Sequence, residues 1–192
     1  MITGEFAVIR TAEPDDAPHL MRLYSPDYPR SFLLDGRREL QTPNADDLRQ
    51  LLGRKEVRSG VFHVVEDLEG TVRGCCSLKY PAHDVFYSEI LLAFEDLADY
   101  SQPIARETME FIEYTAFVER RLNKIVAQCI ENEREYRDLL LRERFEPNGL
   151  QRDVLFTMGR YHDLETLSLF RHTYLERATQ APAQRGAEDD SA

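Results

Sequence analysis

The sequence lacks most of the features that would mark a membrane, secreted, metal-bound or nucleic-acid-coating protein. No run approaches the ~18 consecutive apolar residues that a membrane span requires, so no membrane association is expected. The opening MITGEFAVIR has no basic end followed by a long apolar stretch, so no signal peptide is expected. Cysteine is scarce: Cys75, Cys76 and Cys129 are an odd number and two are adjacent, which argues against a disulfide framework and for a reduced, cytoplasmic chain. Cys75-Cys76 also lacks metal-ligand spacing, no other metal constellation stands out, and no metal is expected. Basic charge is in deficit. The formal net charge of −11 disfavours a general nucleic-acid binder, which should be basic, and suits a cationic or amine substrate. Glycine is absent between Gly74 and Gly149, and the chain has no phosphate-binding P-loop.

What remains is the profile of one globular domain. The chain has 192 residues, 42% hydrophobic and 31% charged, enough to bury a sizeable core. FAVIR at 6–10 predicts a strand, and TAEPDDAPHLMRLY after it a helix entry, with prolines and acids early and Leu20, Leu23 and Tyr24 at helical spacing. SPDYPR must be a loop, and Asn44 is placed to cap a helix carrying Leu48, Leu51 and Leu52 on one face. After Gly60 the period turns strand-like. VFHVVED and VRGCCSLKY flank the turn LEGT, and VFYSEILLAF follows, which predicts an antiparallel three-stranded meander.

From Ile104 the period is helical again, with Ile104, Phe111, Val118 and Leu122 on one stripe widened by Ile112 and Thr115. KIVAQCI at 124–130 is a near-continuous apolar strand, as expected where both faces are covered, so strand, helix and strand make a right-handed parallel crossover. Asn132 is placed to cap the helix EREYRDLLLRER, in which Tyr136, Leu139 and Leu140 face inward. Val154, Phe156 and Met158 alternate along a strand, Gly159-Arg160 makes a turn, and Tyr161–Tyr174 returns. From Glu176 no apolar pattern remains, and residues 176–192 are expected to be a disordered tail behind a domain of residues 1–175.

This order of elements, with VIRTAEPDDA, SEILLAF, IARETMEFIEYTAFVERRLNKIVAQCIENE, LLRERFEPNGL and TMGRYHDLETLSLF in sequence, resembles the GCN5-related N-acetyltransferases over about residues 6–175. The branch it is most similar to is that of the ribosomal-protein and aminoglycoside N-acetyltransferases. The resemblance implies an α+β fold: a twisted mixed sheet of six or seven strands, flanked by about four helices and splayed between its fourth and fifth strands. It implies acetyl-CoA or another acyl-CoA as co-substrate in that splay. The acyl group then passes directly to a primary amine of a small molecule or peptide. A homodimer is compatible with the fold.

Carried over by position, the resemblance implies Glu89 as the base toward the amine and Tyr136 as the acid toward the thiolate. Leu91, Leu92, Ala93, Ser101, Gln102, Ile104, Ala105 and Asn132 would contact the donor, and Tyr28, Tyr80 and His83 the acceptor. Read from the residues alone, Glu89 is equally an outer-face polar residue, Tyr136 a packed aromatic and Asn132 a helix cap.

The sequence departs from the family pattern in three places. Ser101-Gln102-Pro103 stands where a Gly-x-Gly loop would cradle the pyrophosphate, and proline has no N–H to donate. No Arg or Lys lies between Lys79 and Arg106 to compensate, and Asp96 and Asp99 add negative charge. Arg144-Phe145 replaces Gly-Phe, and Leu140 occupies the position of the usual tyrosine acid, leaving Tyr136 as its replacement. Two other readings follow from the altered loop. One is a catalytically impaired binding protein that keeps the fold. The other is an acyltransferase whose donor is carried on a protein, so that nucleotide phosphates are not read.

Overall fold

The computed structural model describes residues 1–24, 44–52, 61–79, 86–157 and 159–185. Tyr28, Tyr80 and His83, named above as acceptor contacts, lie outside the described residues. Eight strands form one sheet: β1 (Ile2–Thr3), β2 (Val8–Thr11), β3 (Val61–Glu66), β4 (Val72–Leu78), β5 (Tyr87–Phe94), β6 (Lys124–Ile130), β7 (Glu146–Thr157) and β8 (Arg160–Phe170). Their spatial order is β1-β2-β3-β4-β5-β6-β8-β7. Every pairing is antiparallel except that of β5 with β6. Among the described residues the α-helices are α1 (Ala17–Leu20), α2 (Ala45–Leu52), α3 (Pro103–Tyr114), α4 (Arg134–Arg142) and α5 (Arg171–Arg185).

The two-residue period of the strands sorts side chains between two layers. Cys76, Leu78, Ile90, Leu92 and Phe94 pack with α3 and α4, while their neighbours Cys75, Leu91 and Ala93 pack with Ala17, Leu20 and Leu48 of α1 and α2. The adjacent cysteines thus face opposite sides of the sheet. All three cysteines are buried, and burial pushes the Cys76 thiol well above its ordinary value.

Local chemistry explains the element ends. The β3–β4 turn closes with Gly70 at φ +83°, its N–H on Asp67 O (3.1 Å), while Asp67 Oδ1 accepts from Thr71 N (2.8 Å). Asn44 caps α2 as its sequence predicts: Asn44 Oδ1 accepts from Asp47 N (2.9 Å), and Asp47 Oδ2 accepts from Asn44 N (3.1 Å). At the entry to α1, Arg10 of β2 holds Asp16 by two bonds (2.7 and 2.8 Å) and Glu66 of β3 by two more (2.6 and 2.9 Å).

Burial works to raise the Asp16 carboxyl, but the Arg10 guanidinium and the Glu13 N–H outweigh it and hold the group below its ordinary value of 3.8. A lowered carboxylate stabilises the fold above its unfolded pKa, and that stabilisation is lost as pH falls through the folded value. Melting temperature is therefore expected to drop as pH falls below 3.8. Asp16→Asn should be less stable near neutrality and show a shallower acid limb. Parallel acid limbs would sink the assignment.

Four sequence expectations need correction. The buried stripe of α3 is Ile104, Ala105, Thr108, Met109 and Ile112, not one running through Phe111 and Val118. A wide π-turn at Thr115–Glu119, whose Arg120 N–H reaches back to Thr115 O (3.0 Å), adds a residue and rotates Val118 out to solvent, while Phe111 packs only partly buried against the core. The N-cap position of α4 is Glu133 rather than Asn132, and the Glu133 side chain turns back to β6, where its Oε2 accepts from Ile130 N (2.8 Å). The β7–β8 turn lies one residue earlier than Gly159-Arg160, since Thr157 pairs with Arg160. Finally, β8 ends at Phe170, and α5 occupies residues to Arg185 where a structureless tail was expected from Glu176. Its Tyr174 ring packs on Phe117 (5.2 Å between centroids), which anchors a helix whose own composition carries little apolar signal.

Candidate active site

Strands β5 and β6 pair over three positions only: Tyr87↔Lys124, Ser88↔Ile125 and Glu89↔Val126. Beyond them β5 stays with β4 as far as Phe94↔Gly74, and β6 stays with β8 as far as Ile130↔Leu164. A wedge therefore opens between Ile90–Phe94 and Ala127–Ile130. Lys79 N bonds Glu89 O (2.9 Å) and Glu95 N bonds Arg73 O (2.9 Å), so the odd-numbered residues of β5 bond toward β4. By alternation, Ile90, Leu92 and Phe94 turn their main-chain groups into the wedge.

Glu89 stands at the vertex. Its side chain is half-buried, with Oε1 2.7 Å from Lys79 Nζ, and it lies on the same sheet face as Leu91 and Ala93, toward α1 and α2. Leu91, Leu92 and Ala93 are buried; of the three, Leu92 turns its main chain into the wedge, whereas Leu91 and Ala93 bond to β4.

At the open end the chain turns through a 3₁₀ segment, Leu97–Ser101, and enters α3 with Gln102 as N-cap and Pro103 in the first turn. The loop consumes its own donors. Ala98 N goes to Asp96 Oδ1 (2.9 Å), and Ser101 Oγ to Ala98 O (2.8 Å). Asp99 N goes to Asp96 O (3.1 Å), Gln102 N to Asp99 O (3.0 Å) and Ala105 N to Gln102 O (3.1 Å). Ser101 and Gln102 are exposed, whereas Ile104 and Ala105 lie on the buried face of α3.

Cations reach this loop from elsewhere in the chain, which reading along the sequence could not show. Arg73 of β4 holds Asp99 with Nη2 (2.7 Å) and Nε (3.1 Å), and this contact raises the Arg73 pKa. Arg142 of α4 donates to Tyr100 O (2.6 Å).

Tyr100, absent from the sequence-derived set, occupies the wedge. Its hydroxyl accepts from Phe94 N (3.3 Å) and donates to Leu92 O (3.5 Å), two groups of the wedge-facing edge. Its ring meets Phe94 edge-on at 5.3 Å and Tyr136 of α4 at 5.6 Å. All three rings are at most 1% exposed. Gly74 makes room beneath them: a Cβ there would lie 2.2 Å from Ala93 O and 2.9 Å from the Phe94 ring. The sequence signal for Tyr100 was an aromatic just before Ser-Gln-Pro, but nothing local to the sequence says that it turns inward.

The remaining candidates divide. Tyr136 lies in the wedge wall against Tyr100, and Leu140 is core. Asn132 sits in the β6–α4 turn, where its Oδ1 accepts from Arg160 Nη2 (3.1 Å), so its side chain is directed to β8. Arg144, in place of glycine, adopts φ +64°, and Phe145 after it is buried; the turn thus keeps its shape at the cost of a left-handed arginine. A hollow of about 220 Å3 lies away from the wedge, bounded by Met1, Ile9, His63, Phe111 and Arg120. Among the described residues no group of three or more His, Cys, Asp or Glu could hold a metal ion, and no helix is long and apolar enough to cross a membrane.

No family profile and no curated protein matches the sequence. Solved structures do match. The spermidine N-acetyltransferase of Vibrio cholerae in complex with CoA and spermine superposes with a TM-score of 0.75 at 19% identity, over 88% of this chain and 98% of that one. A dodecameric structure of the same enzyme in an intermediate state gives 0.71 at 19% identity, over 89% and 97%. A probable acetyltransferase gives 0.71 at 24% identity, over 88% and 96%. This chain has the N-acetyltransferase fold. In the sense of that GCN5-related fold, β5 and β6 are the splayed pair. The sheet has eight strands, where the sequence suggested six or seven.

Proposed function

We propose that the protein is an acyl-CoA-dependent N-acyltransferase, foremost an N-acetyltransferase, that moves the acyl group directly from thioester sulfur to a primary amine. The observation that carries the reading is the three-pair β5–β6 seam with a carboxylate at its vertex. An acceptor amine is an ammonium ion at neutral pH and must lose a proton before its nitrogen can attack. Glu89 is the group placed to take that proton. As the C–N bond forms and the C–S bond breaks, the leaving thiolate gains a proton, for which Tyr136, behind Tyr100, is the proposed donor. The net charge of −11 favours a cationic acceptor, and a spermine-bound structure stands among those with this fold. Small-molecule and peptide amines are both compatible acceptors.

A second reading, that the fold is kept as a binding module without catalysis, is favoured by the self-satisfied 96–102 loop and by Tyr100 in the wedge. Donor titration separates the two. Calorimetry with acetyl-CoA, CoA and an acetyl-pantetheine thioester should give saturable binding, and amine-dependent release of free thiol should follow with spermidine or a peptide amine. Equal affinity for acetyl-CoA and acetyl-pantetheine would point to a protein-carried donor. No binding by any of the three would leave only the non-catalytic module.

A further inference from the structure

We propose that Tyr100 controls donor entry: its side chain occupies the strand-edge groups that an acyl donor's amide-bearing arm would take, and the donor binds by displacing it. This rests on the acyltransferase reading. The pantetheine arm carries secondary amides, each with one N–H donor and one C=O acceptor. The wedge edge of β5 offers the complement, the Phe94 N–H and the Leu92 C=O. The Tyr100 hydroxyl satisfies both at once, accepting from the first and donating to the second, and so imitates a single amide. The tyrosine is thus the ligand of its own groove when no donor is present.

Three features make the arrangement displaceable rather than merely structural. The hydroxyl contacts are long, at 3.3 and 3.5 Å, so an amide in better geometry would win them. The backbone at this point is clamped independently of the ring, by Arg73 on Asp99 and by Arg142 on Tyr100 O. Opening the wedge thus needs rotation of one side chain, not movement of the loop. Finally, the Tyr100 ring covers Tyr136. Its departure would vacate the arm's path and uncover the proposed acid in one step.

Calorimetry of acetyl-CoA and acetyl-pantetheine on the wild type, Tyr100→Ala and Tyr100→Phe tests this. If the closed state dominates tenfold, removing the ring should tighten both donors by about tenfold. Tyr100→Phe, which keeps the packing but loses the two hydroxyl bonds, should fall between and guards against a folding defect in the alanine variant. Amide exchange at Phe94 should quicken in unliganded Tyr100→Ala and slow again on donor binding. Wild-type binding that neither variant improves would overturn the proposal and leave the acyltransferase reading standing. No binding in any of the three proteins would overturn that reading itself.

Discussion

Arg177→Met is expected to lower the unfolding free energy by about 3–5 kcal/mol, the scale of breaking a buried ion pair from one side. Arg177 projects from α5 between two carboxylates. Its Nη2 donates to Glu113 Oε2 of α3, and its Nη1 lies 3.0 Å from Glu143 Oε2 at the end of α4. Glu113 is completely buried and Glu143 nearly so. Methionine keeps the aliphatic length but leaves two acids in the core without their cation. Burial pushes the Glu143 carboxyl above its ordinary 4.5. A raised acid contributes stability below its unfolded pKa and loses it as pH rises through the folded one. The deficit of Arg177→Met should therefore narrow as pH is lowered toward 4.5, and adding Glu113→Leu should recover much of it. Urea midpoints measured across pH would show this. A loss below about 1 kcal/mol, the scale of an exposed pair, would mean that Glu113 is solvated.

Glu89→Gln is expected to lower kcat/KM for amine acylation by about a hundred- to ten-thousandfold, the range ascribed to a positioned base. The competing account is that Glu89 only pairs with Lys79. Two measurements separate them. Lys79→Met removes the same ion pair, so a pairing role predicts equal losses from both variants, whereas a base role predicts the large loss from Glu89→Gln alone. In addition, the residual rate of Glu89→Gln should climb with pH as free amine accumulates, because deprotonation then needs no protein group. A parallel pH profile, displaced but unchanged in shape, would rule out the base. Donor affinity should be unaltered, since the carboxylate lies on the sheet face opposite α3 and Tyr136.

Much of the fold was legible because its signals are local. The β3–β4–β5 meander follows from β-branched runs and the Gly70 turn, and the β5–α3–β6 crossover from an apolar strand on either side of a helical period. The wedge itself was inferred by resemblance, since no residue in β5 or β6 announces where pairing stops. What escaped depended on contacts distant in sequence. The polar stretch after Glu176 reads as coil, yet Tyr174 and Arg177 tie it to α3 and α4. The acidic 96–102 loop reads as uncompensated, yet Arg73 and Arg142 arrive from β4 and α4. Arg144 reads as a lost glycine, yet its backbone takes the glycine conformation. Tyr100 was overlooked because an inward and an outward tyrosine look alike in a one-dimensional string.

The brevity of the β5–β6 seam also bears on how the chain assembles. Strands β1 to β5 can complete their ladders from one continuous antiparallel run, and β6, β8 and β7 theirs from the other end of the chain. Each half leaves one strand edge, that of β5 and that of β6, for the seam to pair. The parallel pairing of Tyr87–Glu89 with Lys124–Val126, which closes over the whole of α3, forms at only three positions. The architecture leaves a groove at the centre of the sheet, where the β5–β6 pairing ends after three positions.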